Sequence, residues 1–252
     1  MIQVRDLRRP TYRTFLRAAV LLLVTVCIGM LSVQSASGAV VVSEDATDRG
    51  WYDEDGDHNA LNTNYLAGRT PTSRIWTTKR NFFTFDLAAL AGVGNKLIGA
   101  ALLLDSGIVD LPENETRTYQ LYTLNTSLTD LQNASTDDVA IYDDLGTGTP
   151  LGSFTFDDTM DDQMWEIQLN ADALTAIRAA AGGGWAVGGS IVDVVEDETD
   201  NFAFGGTGTT SSVSQLQMTI IPEPTAMTLL ALGGVAMVGR RRATRRESTV
   251  VG

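Results

Sequence analysis

Cysteine and histidine are almost missing from this chain of 252 residues, which holds one of each, Cys27 and His58. A lone thiol forms no internal disulfide, so stability must come from an apolar core and from strand pairing. Zinc sites need several His or Cys ligands, and these are absent. A Ser–His–Asp device would have to use His58, and no nucleophile elbow accompanies it. His58 therefore reads as a polar loop residue. Carboxylate pairs for glycoside hydrolysis are so abundant that none singles itself out. With no assembly of nucleophile, base and orienter, the chain reads as non-enzymatic, a secreted hydrolase being the least favoured alternative.

Positive charge is the second scarcity. Of 18 basic residues, five precede residue 40 (Arg5, Arg8, Arg9, Arg13, Arg17) and five follow Gly239. The segment 40–221 keeps 8 basic residues against 28 acidic ones, a formal charge of −20 within a whole-chain value of −13. Such a surface repels nucleic acid and anionic lipid and attracts divalent cations diffusely. The C-terminal uncharged stretch 225–239 is also short, fifteen residues, where a bilayer span takes roughly 17–25.

Residues 1–39 are expected to be a secretory signal peptide. An Arg-rich start precedes an apolar run from Ala18 to about Met30, and Ser35, Ala36, Ser37, Gly38 and Ala39 offer small residues for cleavage. Cleavage is expected after Gly38 or Ala39. Lipidation at Cys27 is disfavoured by bulky Val26, and Arg8–Arg9 followed by Pro10 favours ordinary secretion over twin-arginine export. An uncleaved N-terminal anchor is the remaining alternative. Cys27 leaves with the leader.

The tail has three parts. Pro222 and Pro224 bracket Glu223 and prevent regular strand pairing or a helix interior. Met227, Leu229, Leu230, Leu232, Val235, Met237 and Val238 then supply a short apolar helix, suited to a thin or weakly held span. Arg240, Arg241, Arg242, Arg245 and Arg246 form a cytoplasmic stop. This order resembles the PEP-CTERM sorting domain, a short domain also labelled "ice-binding protein C-terminal". The resemblance implies export, transient membrane anchoring and processing by an exosortase, with Pro222, Glu223 and Pro224 as the recognition motif and Arg240–Arg242 as the basic stop. The ten-residue extension Ala243–Gly252 departs from tails that end close to the arginines. The label does not imply ice binding.

Between leader and tail, short apolar runs alternate with Gly, Asn, Asp and Thr clusters. Strands are expected at Ala39–Ser43, Phe82–Asp86, Leu97–Leu104, Tyr119–Leu124, Gly152–Phe156, Trp165–Leu169, Trp185–Ile191, Asn201–Phe204 and Gln215–Ile221. Many short strands with turn signals predict a mainly β domain, a single sandwich or jelly roll. One helix is expected after Asn170, with Leu174, Ile177 and Ala181 as its stripe and Gly182–Gly184 as its stop. Gly205–Ser214 is expected to be a flexible hairpin loop. The domains are thus 1–39 signal peptide, 40–221 exported β-domain, 222–246 sorting and anchor segment, and 247–252 disordered tail.

R-N-F-F-T-F-D-L-A-A-L at Arg80–Leu90, followed by G-N-K-L-I-G-A-A-L-L-L, resembles the signature of DNRLRE-like secreted β-sandwich proteins. Asn62-Thr-Asn-Tyr65 matches their early element, and 140–149 and 166–174 look like stretches of secreted PEP-CTERM proteins. The resemblance implies a fold and a surface location and supplies no catalytic residue.

Two binding chemistries are legible. Asp53, Asp55 and Asp57 have the alternate spacing of a calcium loop, although an EF-hand wants Gly at His58 and Glu at Asn64. The other reading of this turn, and of Asp157, Asp158, Asp161 and Asp162, is a solvated loop. Trp51, Tyr52, Tyr65, Trp76, Phe82 and Phe83 fall close together and could form a sugar platform or fill the core. Sequons at Asn114, Asn125 and Asn133 read as chance in a bacterial protein. The sequence thus predicts an exported, non-enzymatic protein of the cell surface or extracellular matrix. Its expected partners are the secretion machinery, an exosortase, the membrane through its tail, and exopolysaccharide. A carbohydrate-binding module is the alternative.

Overall fold

R-N-F-F-T-F decides the middle of the fold, because bulky side chains fall on both faces of one strand. The structure, a computed structural model, describes residues 38–72, 75–133, 135–195, 201–209 and 211–221, without the side chains of 71, 72 and 75. Residues 1–37 of the expected leader, Pro222–Glu223–Pro224, the apolar run and Arg240–Arg242 lie outside the described residues, as do both expected flanking helices. Among the described residues, no helix is long and apolar enough to cross a membrane.

The domain is mainly β. Its strands are β1 Val40–Asp45, β2 Asp48–Asp53, β3 Ala67–Thr72, β4 Ile75–Asp86, β5 Leu97–Asp105 and β6 Ile108–Asp110, then β7 Thr116–Tyr122, β8 Pro150–Asp157, β9 Met164–Gln168, β10 Gly184–Ile191, β11 Asn201–Gly205 and β12 Ser214–Ile220. Three α-helices accompany them among the described residues: α1 Leu128–Gln132, α2 Val139–Thr147 and α3 Ala171–Ala179. One sheet has four strands in the order β1-β12-β5-β9. The other runs β6-β11-β3-β4-β10-β7-β8, with β2 also on β4. Pairing is antiparallel throughout.

The two sheets share one core. Leu102, Leu104, Trp165, Ile167, Leu216 and Met218 from the smaller sheet meet Phe83, Phe85, Tyr119, Val187 and Phe204 from the larger. Trp165 on β9 stacks on Phe154 of β8 with centroids 4.8 Å apart and meets Phe204 of β11 at 4.9 Å. The larger sheet therefore bends around the indole from both its ends. Alternation along β9 buries Trp165 and Ile167 and exposes Glu166, as the period of two demands.

On β4, Phe82 points the other way. With Tyr52 of β2 it meets Leu131 of α1 and Ile141, Tyr142 and Leu145 of α2, a second, smaller core. The expectation of one helix is corrected here. α1 and α2 form because Phe82 and Tyr52 need cover on the face that the smaller sheet does not reach. Ser127 caps α1, its Oγ accepting from the Asp130 amide at 3.1 Å. The third helix follows its sequence: Asn170 Oδ1 accepts from the amides of Asp172 and Ala173, each at 3.0 Å. Of the expected stripe, Ile177 is buried, Leu174 is half-buried and Ala181 lies beyond the helix end at Ala179, while Ala173 takes the second buried place.

Gly205–Ser214 is also corrected. β11 and β12 belong to different sheets, so this run crosses between layers and is no hairpin loop. Arg49 holds it, donating from Nη1 to Ser212 O at 2.7 Å and Ser214 Oγ at 2.9 Å, and from Nη2 to Thr209 O at 2.9 Å.

Candidate functional site

The acidic turn after β2 is organised by its own backbone. Asp53 is buried, and its Oδ1 accepts from the Asp57 amide at 2.9 Å. Gly56 closes the turn with φ +86, and an added Cβ would strike the backbone of Asp138 and Val139. Asp55 and Asp57 are exposed, and Asp57 Oδ1 accepts from the Asp137 amide at 3.3 Å. Among the described residues, no three of His, Cys, Asp or Glu are gathered as a metal-holding group. Burial pushes the Asp53 carboxyl above the usual carboxylate range, with Asp57 and Asp55 adding to the rise while Lys79 and the Asp57 amide oppose it.

His58 lies in the loop after β2, as expected, but it is buried there. It sits against the smaller core, stacked on Tyr52 at 4.5 Å and edge-on to Phe82 at 5.5 Å. Its Nδ1 lies 2.9 Å from Trp51 O, a carbonyl that only accepts, so the neutral ring carries its proton on Nδ1. Burial lowers its pKa below the ordinary value. Gly50 leaves the ring room: a Cβ there would meet His58 Cε1 at 2.9 Å.

The six clustered aromatics divide. Tyr65 and Phe83 belong to the main core, Tyr52 and Phe82 to the smaller one, and all four are fully buried. Only Trp51 and Trp76 keep partial exposure.

Trp51 borders a shallow groove of about 550 Å³ whose other walls come from β3, β4, β6, β11 and the loop before β3. One transverse row crosses five strands beneath it. Asp110 pairs with Phe202, Phe202 with Gly68, Gly68 with Lys79, and Lys79 with Asp53. Direct antiparallel partners share a face, so these residues stand side by side. Gly68, at φ +104, cannot carry a side chain, because its Cβ would strike Asn201 O. The Ile191 side chain and the Phe202 backbone also fill the space beside it.

Lys79 is buried although it is a cation. Its Nζ donates to Thr70 Oγ1 at 2.9 Å and Thr77 Oγ1 at 2.8 Å and lies 4.8 Å from the Trp51 ring centroid. Burial lowers its pKa, partly offset by Asp53 and Glu54. Alternation along β4 puts Phe85, Phe83, Asn81, Lys79 and Thr77 on one face. β4 exchanges partners along this face, from β10 over Asn81–Asp86 to β3 over Ile75–Lys79. Its core-facing side opens to the groove there.

Lys79, Ile108, Asp110 and Phe202 were not singled out in the sequence. A lysine at strand spacing from Phe83 and Phe85, in so acidic a domain, is the signal that could have pointed to it. No protein-family model matches the chain, and no curated protein matches it.

Proposed function

We propose that the protein is an exported, non-enzymatic β-sandwich for the cell surface or extracellular polysaccharide matrix, released from a leader at residues 1–39 and sorted through Ile221–Arg246. In this reading Pro222–Glu223–Pro224 is presented to an exosortase. The apolar run holds the chain in the membrane until processing, and Arg240–Arg242 stop its transfer. The paired ends of the domain support this reading best. Val40, the first residue of β1, pairs with Ile220, the last residue of β12, and the Ile221 amide still donates to Lys96 O at 3.1 Å. Cleavage after Gly38 or Ala39 leaves β1 whole, and a cut at the motif leaves β12 whole. Strand β12 lies between β1 and β5, so the smaller sheet closes only once the chain up to the motif has been delivered.

The test is intact mass with sequencing of both ends of the protein recovered from its native cells. New ends near Gly38 and Pro224 are the expected result. Retention of Arg240–Gly252 in the membrane fraction would make the tail a plain anchor and end the sorting reading.

A further inference from the structure

We propose that the groove bordered by Trp51, Phe202 and Ile108 binds a neutral saccharide chain, with Asn62 and Asn64 as hydrogen-bonding partners and the Trp51 and Phe202 rings as stacking surfaces. Carbohydrate binding is independent of the sorting tail and adds a ligand to the exported domain.

Shape comes first. The groove is shallow and open, and its volume of about 550 Å³ lies within the ordinary size of a ligand site. Two glycines, Gly205 and Gly206, line it without side chains. A Cβ on Gly206 would meet only Ile108 Cδ1, at 3.8 Å, so space remains above it. Such a trough suits an extended chain that passes through, where a small molecule would be left largely uncovered.

Chemistry comes second. Pyranose rings present flat C–H faces and a rim of hydroxyls. Aromatic faces carry the negative side of a quadrupole and attract polarised C–H groups. Trp51 and Phe202 are both partly exposed, and Ile108 is 52% exposed, so the groove presents apolar surface to solvent. The Nδ2 groups of Asn62 and Asn64 offer donors to hydroxyls, whereas their Oδ1 atoms already accept from the Asn64 amide at 3.1 Å and the Thr207 hydroxyl at 2.6 Å.

Charge decides between neutral and acidic saccharides. The Lys79 ammonium is already engaged by two threonine hydroxyls and the Trp51 ring. Asp110 and Asp53 stand at the two ends of the row, and the surrounding domain carries −20. A polyuronate would meet repulsion, and the lysine lining the groove is already engaged.

Titration calorimetry of the full chain against hexasaccharides of β-1,4-glucose, β-1,3-glucose, α-1,4-glucose and mannose tests the site, with a galacturonate hexamer as the acidic comparison. Saturable binding of at least one neutral hexasaccharide is expected, with a dissociation constant between about 10 μM and 1 mM. Trp51→Ala should weaken it at least about tenfold. Ile108→Glu, at a half-exposed position that leaves the fold intact, should do the same and guards against a Trp51→Ala variant that misfolds. No saturable binding to any neutral chain, binding unchanged in Ile108→Glu, or tighter binding of the galacturonate hexamer than of every neutral chain each overturns the proposal. None of these outcomes touches the processing of the tail, which terminal sequencing reads separately.

Discussion

The Tyr119 hydroxyl donates to Asn81 Oδ1 across 2.7 Å, between two side chains that are both fully buried. Asn81 Nδ2 passes the connection on to Tyr65 O at 2.7 Å. Gly189 makes the meeting possible, since a Cβ there would collide with both the Tyr119 hydroxyl and the Asn81 carbonyl. One amide thus ties β4, β7 and the segment entering β3 at the centre of the larger sheet.

Removing one partner leaves the other buried and unsatisfied. Tyr119→Phe should therefore lower unfolding free energy by about 1–3 kcal/mol. Asn81→Leu should cost more, because it orphans both the phenol and Tyr65 O. The double variant should recover part of the sum, and urea midpoints of the singles and the double measure that coupling. Additive losses would mean that the pair does not act as a unit.

The buried His58 makes stability depend on pH. Its folded pKa lies below the unfolded value of 6.5, chiefly through burial. Below that value the unfolded chain takes up a proton that the folded chain resists, so stability falls as pH drops from 6.5 towards the folded pKa. The slope is at most about 1.4 kcal/mol per pH unit. His58→Phe keeps an aromatic ring against Tyr52 and should flatten this part of the profile. Urea midpoints at several pH values between neutrality and mild acid, in both proteins, check it.

Asp144 pins the start of the segment that carries α1. Its carboxylate accepts from the amides of Asn125 and Thr126, each at 2.8 Å, from the Thr126 hydroxyl at 2.7 Å and from Asn125 Nδ2 at 3.0 Å. Burial pushes its pKa up, but the bonds from Thr126 and Asn125 outweigh burial and leave it lowered. A depressed folded pKa gives stability that is present above the unfolded value and lost as pH falls through the folded one. Asp144→Ala should cost about 1–2 kcal/mol at neutral pH and show a smaller loss on strong acidification than the parent.

Arg49 is the clamp on the crossover between β11 and β12, and its guanidinium also lies 5.0 Å from the Tyr65 ring centroid. Arg49→Ala should free three acceptors at once. Limited proteolysis should then cut within 205–214 several times faster, while cleavage elsewhere is unchanged. Equal protection in the variant would show that the crossover holds by its own contacts.

How much was legible varies by element. All nine expected strands form, most of them within two residues of the expected bounds, because alternation such as Trp165, Glu166, Ile167 is a local signal. β2, β3 and β6 were missed. D-R-G-W-Y-D, A-G-R-T-P-T and I-V-D carry Gly, Pro and charge, and they are strands because β4 and β11 supply partners. The same holds for the short helices α1 and α2, which exist to cover Tyr52 and Phe82. Asn170 was readable because a cap acts within three residues.

By itself, then, the sequence determined the β class, the acidic character of the domain, and the helix capped by Asn170, all of which rest on composition or short-range pattern. It also carried the whole case for leader and tail, whose motifs lie outside the described residues. Only the tertiary structure decided which aromatics are core and which are surface. It placed Tyr52, Tyr65, Phe82 and Phe83 inside and left Trp51 beside Lys79 and Phe202. That outcome depends on which strands become neighbours, and pairing between residues as distant as Asp53, Lys79, Phe202 and Asp110 is set by the packing of the whole domain, which no local window of the chain contains.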